Sequence, residues 1–198
     1  MALKRIGRYL KLTRDKGLIL KPTKALNMDA YPDADFSGLY RYEDGADPTC
    51  TRIRTGFTIA VANCPIFWQS KLQTETALST MEAEVVAFVA CCRELFPIID
   101  LVDQIGDAAG VSPEEVCRMH IKLHEDNMGA LALLMTPPPQ HTPCSKHFAL
   151  KTNWFREQII ARNIEVVKIE TKEQRGDIFT KSLPEVIFKY LQKKIMGW

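Results

Sequence analysis

The spacing of apolar residues changes period several times along this chain, and each change predicts an element. In ALKRIGRYLKLT, residues 2–13, Leu3, Ile6, Leu10 and Leu12 share one side against basic neighbours, which predicts an amphipathic helix ended by the Lys16-Gly17 turn. In LNMDAYPDAD, residues 26–35, the period drops to two, Leu26, Met28 and Ala30 alternating with Asn27 and Asp29, which predicts a strand. Pro32 lacks an N–H, so it belongs where the ladder is interrupted or its nitrogen faces outward. TGFTIAVA (55–62) and PIFWQSKL (65–72) are two more strands, and the two residues between them, Asn63 and Cys64, give the spacing of a hairpin.

From Ser79 to about Gly106 the pattern turns helical, opening on a Ser-x-x-Glu capping box of Ser79 and Glu82, with Pro97 expected to kink or split the helix. IKLHEDN then reads as a strand and GALALLM as a short helix stopped by Pro137-Pro138-Pro139. SKHFALKTNWFREQIIAR (145–162) reads as a helix, IEVVKIE (164–170) as a strand, TKEQRGDIFTKSL (171–183) as a helix, and PEVIFKYLQKKIM (184–196) as the last helix, with Pro184 in its first turn. Two antiparallel neighbours follow the first strand, and a right-handed helical crossover from the third strand then lays the fourth parallel to the first in a mixed sheet. Acids at the C-terminal ends of those two strands would meet at a sheet edge where α/β sites form: Asp33 or Asp35 on one, Asp126 on the other.

At 198 residues the chain has room for one domain with a full core, or a domain and a short appendage. No apolar run approaches the roughly 20 residues of a membrane span, and the basic N-terminus lacks the apolar core of an export signal. Six cysteines without a framework of spacings fit a reducing compartment, so an intracellular location, cytoplasm or nucleus, is expected. The net charge of +2 is too small to imply a nucleic-acid partner, but the basic residues cluster: Lys4, Arg5, Arg8, Lys11, Arg14 and Lys16 in one run, and Lys146, His147, Lys151 and Arg156 in another. Solvated helix faces would account for either run alone.

The acids carry the chemistry. Asp33 and Asp35 are two apart in an extended segment and project to one face, although a solvated strand end would also explain them. Glu84 shares a helix face with Phe88 and Cys91, so it points inward, whereas Glu82 is the capping-box acid. Asp177 opens a C-terminal helical stretch, where complementing the helix dipole is its simplest role. Four such carboxylates brought together would repel one another, and with no lysine or arginine interleaved in these short motifs, a divalent cation is the expected relief. An all-oxygen set favours magnesium or manganese over zinc or copper.

Taken in order, YPDADFSG, TGFTIAVANCPIFWQSKLQTETALSTMEAE, HEDNMGAL, SKHFALKTNWFRE and GDIFTKSLP resemble the motifs of the ribonuclease H domain of copia-type retrotransposon polyproteins, nearly from end to end. The resemblance implies an α/β, ribonuclease H-like fold with a five-stranded mixed sheet of order 3-2-1-4-5, flanked by helices. It implies a helical connection from reverse transcriptase over residues 1–25 and the nuclease domain over 26–198. It also implies endonucleolytic hydrolysis of the RNA strand of an RNA/DNA hybrid by two metal ions, two Mg2+ with Mn2+ possible, in a virus-like particle or the nucleus. The partners it implies are the hybrid and a covalently linked or associated reverse transcriptase.

The ligand set carried over from the family is Asp33, Glu84, Asp126 and Asp177, with Asp35 as an alternative or supporting acid. Ser37, Thr55, Asn127, Lys146, His147, Lys151 and Arg156 are the expected nucleic-acid contacts. The segment KIETKEQRGD offers no histidine where cellular relatives carry one in a mobile loop. Three other readings compete: a silent nucleic-acid-binding or scaffolding module, an integrase-like phosphotransferase, and a zinc site at His141, Cys144 and His147.

Overall fold

The computed structural model describes residues 2–36, 52–75, 77–111, 119–136 and 149–198. Helix α1 (Ala2–Thr13) is followed by strand β1 (Asn27–Asp35) and the hairpin β2 (Arg54–Val61) and β3 (Cys64–Leu72). The turn is Ala62-Asn63, one residue earlier than the sequence pattern places it, and both residues have positive φ (49° and 65°), the twist that a two-residue hairpin loop requires. Helix α2 (Thr80–Ala108) leads to β4 (His120–Glu125), α3 (Met128–Met135), α4 (Ala149–Ala161) and β5 (Ile164–Lys168). A 3-10 turn (Thr171–Glu173), the one-turn helix α5 (Asp177–Thr180) and α6 (Glu185–Met196) complete the chain.

The sheet order is β3-β2-β1-β4-β5, with β1 parallel to β4 and antiparallel to β2, as the right-handed crossover predicts. One face of the sheet is covered by α2, where Met28, Ala30, Phe57, Ile59 and Leu123 pack on Val85, Phe88, Cys91, Cys92 and Leu95. Burying the larger of these side chains supplies roughly 1.5–3 kcal/mol each and fixes the register, because a slip of one residue would turn the apolar set of β1 to the other face. Cys64, Cys91 and Cys92 are buried and form no disulfide among the described residues.

Two elements differ from the sequence pattern. Helix α2 runs through Pro97 without a break; the proline lies on the exposed side, while Leu95, Phe96 and Ile99 hold the helix on the core. Residues 171–183 are not one helix. They form a 3-10 turn and the four-residue α5, because residues 174–176 leave the helical path to dock on the sheet. The N-terminal segment lies on α6: Tyr9 meets Phe188 edge-on at 6.3 Å, Ile19 N–H donates to Met196 O at 3.0 Å, and Trp198 Nε1 donates to Gly17 O at 2.7 Å. Among the described residues no helix is long and apolar enough to cross a membrane.

Candidate active site

The β1–β4 ladder ends at Ala30 and Leu123, and the strands part beyond it. Into that opening goes the side chain of Gln174, fully buried, whose Nε2 donates to Pro32 O (2.9 Å) on β1 and to His124 O (3.4 Å) on β4, while its Oε1 accepts from Gly176 N–H (3.2 Å). The missing N–H of Pro32 thus falls past the end of the parallel ladder, as a proline there requires. Two glycines let the C-terminal segment lie this close. A Cβ on Gly176 would stand 2.7 Å from both Asp33 Cβ and Tyr31 O, and one on Gly56, opposite Asp33 across the β1–β2 pair, would stand 2.6 Å from Phe179 Cβ and Thr180 Cγ2. Ser70 Oγ on β3 secures the far end by donating to Phe179 O at 2.6 Å.

Alternation decides which way each acid faces. Met28, Ala30 and Ala34 face α2, so Asp33 faces the docked C-terminal segment, where Thr180 Oγ1 donates to Asp33 Oδ2. Lys181 reaches the same place: its Nζ lies 2.9 Å from Asp33 Oδ1 and 2.7 Å from Asp177 Oδ1. On β4, Ile121 and Leu123 face the core, and the period of two brings Glu125 inward after them, where it joins Glu84 from the second turn of α2. Asp126 follows directly, half-buried, on an open cavity of about 480 Å³ lined also by Lys168 and Thr171.

The electrostatics show these acids as one group. Burial pushes Glu84 up to about 10, aided by the charges of Asp33 and Glu125. Glu125 is pushed up to about 8, again by burial first, although its Oε1 accepts from Asn127 N–H at 2.6 Å, which favours the charged form. Asp177 is raised to about 7 by burial and then by Asp33, against the pull of Lys181. Lys181 itself is raised: burial alone would lower it, but Asp33 and Asp177 outweigh that. Asp126 acts on Glu84, Glu125 and Asp177 alike. Among the described residues, Glu84 Oε2 and Glu125 Oε2 are buried and have no hydrogen-bond partner. Asp35 is half-buried beside Lys181 and Asp33, and burial raises it.

The four acids expected from the sequence therefore arrive at one end of the sheet. Among the described residues no set of three or more His, Cys, Asp and Glu side chains is arranged to hold a metal ion as it stands. Lys181 bridges two of these acids, Asp33 and Asp177, and it corrects the expectation that no cation is interleaved among these motifs: it lies four residues after Asp177, inside GDIFTKSLP. Glu125 was also missed, although the alternation Ile121, Leu123, Glu125 carried the signal.

The expected nucleic-acid contacts fall in several places. Arg156 is not a surface cation: it is 4% exposed, with Nε donating to Leu134 O (3.2 Å) and Nη2 to Leu133 O, so it caps the end of α3 from within. Thr55 is buried and accepts from Gln73 Nε2 at 2.9 Å. Lys151 pairs with Glu75, and both Thr55 and Lys151 line a cavity of about 400 Å³ with Gln69, Lys71 and Arg93. Asn127 is the N-cap of α3, its Oδ1 accepting from the N–H groups of Gly129 and Ala130. Ser37, Lys146 and His147, and the His141-Cys144-His147 zinc reading with them, lie outside the described residues.

No protein-family model matches the chain. Over 194 residues, 98% of its length, it is 34% identical to the retrovirus-related Pol polyprotein from transposon RE2 of Arabidopsis thaliana and 32% identical to that from transposon RE1 of the same plant. It is 28% identical over 199 residues to the Pol polyprotein from transposon TNT 1-94 of Nicotiana tabacum. The chain spans about 12% of the length of the two Arabidopsis relatives. Among solved structures it superposes on a ribonuclease H1 isolated from compost by a metagenomic approach with a TM-score of 0.50, at 16% identity, covering 78% of this chain and 92% of that one. Over nearly its whole length, then, the chain is homologous to one segment of the Pol polyproteins of copia-type retrotransposons, and it carries that segment in a ribonuclease H fold.

Proposed function

We propose that the chain is a ribonuclease H, an endonuclease that hydrolyses the RNA strand of RNA/DNA hybrids during retrotransposon reverse transcription, with Asp33, Glu84, Asp126 and Asp177 as its metal ligands. The observation that carries this reading is the gathering of four carboxylates from β1, α2, the end of β4 and α5 at one end of the sheet, with Glu84 Oε2 buried and, among the described residues, unpartnered. A buried acceptor left without a donor costs about 1–3 kcal/mol, and a cation would remove that cost.

The donor set fits a hard divalent ion. Every candidate ligand atom is a carboxylate oxygen, and a lysine ammonium already sits where positive charge is wanted, between Asp33 and Asp177. Asp33 and Asp177 would hold one ion, and Asp33, Glu84 and Asp126 a second. Bound there, magnesium or manganese would make a water nucleophilic and stabilise the departing 3'-oxygen. The chain's own part is positional. Gln174 and the two glycines fix Asp177 against Asp33, Thr180 orients Asp33 through its hydroxyl, and the depth of Glu84 keeps bulk water from its carboxylate.

Hybrid selectivity rests on contacts to 2'-hydroxyls and groove shape, and the cavity lined by Thr55, Lys71, Arg93 and Lys151 offers polar groups of that kind close to α2. A reverse transcriptase joined to the chain or bound to it is the natural partner, since the Pol relatives extend far beyond this segment. A second reading is a module that binds the hybrid without cutting it, and the Lys181 bridge across two of the acids favours it.

The two are separated by incubating end-labelled hybrid, duplex RNA and duplex DNA with the protein in magnesium or in EDTA, alongside Asp33→Asn and Glu84→Gln. The nuclease reading expects cutting of the hybrid alone, dependent on magnesium and lost in both variants while binding persists. Binding without cutting by the unaltered chain would leave only the silent module.

A further inference from the structure

Lys181 is unlike the other charged groups at this end of the sheet. Its backbone is pinned, the N–H donating to Asp177 O at 2.9 Å to close α5, but its side chain is 33% exposed and leads out to solvent. The two carboxylates it touches have no such freedom. The Asp33 side chain is fully buried and that of Asp177 is 7% exposed, the first held by Thr180 and the second by the turn that Gln174 anchors. The ammonium is therefore the partner with room to leave, whereas the acids are held in place but for small side-chain adjustments.

We propose that the Lys181 ammonium is a built-in counter-cation for the Asp33–Asp177 pair, holding the two carboxylates together in the ion-free protein and competing with a divalent ion for the same two oxygens. The inference rests on the metal-binding reading above and concerns how that site is regulated. Without any cation the pair would be two buried like charges facing each other. With the ammonium present, Asp33 Oδ1 and Asp177 Oδ1 both lie within hydrogen-bond reach of one point, 2.9 and 2.7 Å away. A hard ion binds oxygen at about 2.1 Å, so it would take up the same point with a small inward movement of the acids. Two cations cannot share it, and the lysine, with a flexible stem and an open path, is the one that leaves.

Competition of this kind weakens the apparent affinity for the ion by the fraction of molecules in which the place is free. If that fraction is about a tenth, removing the ammonium tightens binding about tenfold. Calorimetric titration of manganese chloride into the unaltered chain, Lys181→Met and Lys181→Gln tests this without any substrate. Both variants are expected to bind manganese about tenfold more tightly and, in EDTA, to unfold at a lower temperature that manganese restores by a larger step than in the unaltered chain. A lysine that is only a structural tie predicts the reverse, and equal or weaker manganese binding by the variants overturns the proposal. Should Lys181→Met not fold in EDTA, Lys181→Gln, which keeps a neutral donor, decides. Absence of manganese binding in all three proteins overturns the metal-binding reading as well, whereas unchanged binding overturns the lysine proposal alone.

Discussion

Replacing Gly176 by alanine isolates the contact on which the site's assembly depends. The added Cβ would meet Asp33 Cβ at 2.7 Å, Tyr31 O at 2.7 Å and Asp33 N at 3.2 Å, and none of these is the loose end of a flexible chain. Carbon atoms prefer about 3.5–4.0 Å, so the docked segment has to retreat from β1 by about 1 Å. Overpacking of this kind costs about 1–3 kcal/mol. Retreat also strains the 2.9 Å bond from Gln174 to Pro32 O, and leaving those buried groups unpaired costs about 1–3 kcal/mol more. With a urea dependence of about 1–3 kcal/mol per molar, the unfolding midpoint should fall by on the order of 2 M. Thr180, Asp177 and Lys181 move with the segment, and a misplacement of about 1 Å at a reacting centre costs on the order of 100-fold in rate. Gly7→Ala is the control: among the described residues nothing lies within 4 Å of its Cβ, and the exposed interior of α1 should gain up to about 1 kcal/mol. Equilibrium urea unfolding read by circular dichroism, with hybrid cleavage in parallel, checks both variants. A Gly176→Ala protein that unfolds at the original midpoint and cuts at the original rate would refute the close-docking account.

Two further outcomes follow from the buried polar groups. Arg156→Met should lower stability by about 1–3 kcal/mol, because the carbonyls of Leu133 and Leu134 lose their donor, and should leave the salt dependence of hybrid binding unchanged. A salt slope reduced by about one would show that Arg156 contacts phosphate after all. The pH dependence of stability in EDTA has a definite sign. Burial, reinforced by neighbouring acids, raises Asp177 to about 7, Glu125 to about 8 and Glu84 to about 10, so the folded chain keeps protons that the unfolded chain sheds above about pH 4 to 4.5. Stability from these groups is complete below that range and declines from there until pH has passed about 7 for Asp177, 8 for Glu125 and 10 for Glu84, by on the order of 1 kcal/mol per pH unit for each retained proton. Urea midpoints in EDTA at pH 5.5 and 8.0 measure it, and a midpoint that rises with pH would contradict the buried-acid account.

The order of strands and helices, the hairpin, the parallel placing of β4 beside β1 and the inward aim of Glu84 were legible from the sequence, because each depends on periodicity within one element or on the handedness of one connection. Asp33, five residues after Met28, could likewise be placed on the opposite face of the strand by its alternation. What the tertiary structure alone decided are the relations between elements. Arg156 looks like a surface cation in its helix, and only the arrival of the α3 carbonyls makes it an internal cap. Residues 171–183 keep a helical pattern, yet Gln174 gains more by bridging the parted ends of β1 and β4 than by continuing a helix. Lys181 meets Asp33 across 148 residues of chain. Periodicity reports the direction a side chain leaves its own backbone, whereas its partner is set by the packing of separate elements, and no local spacing encodes that.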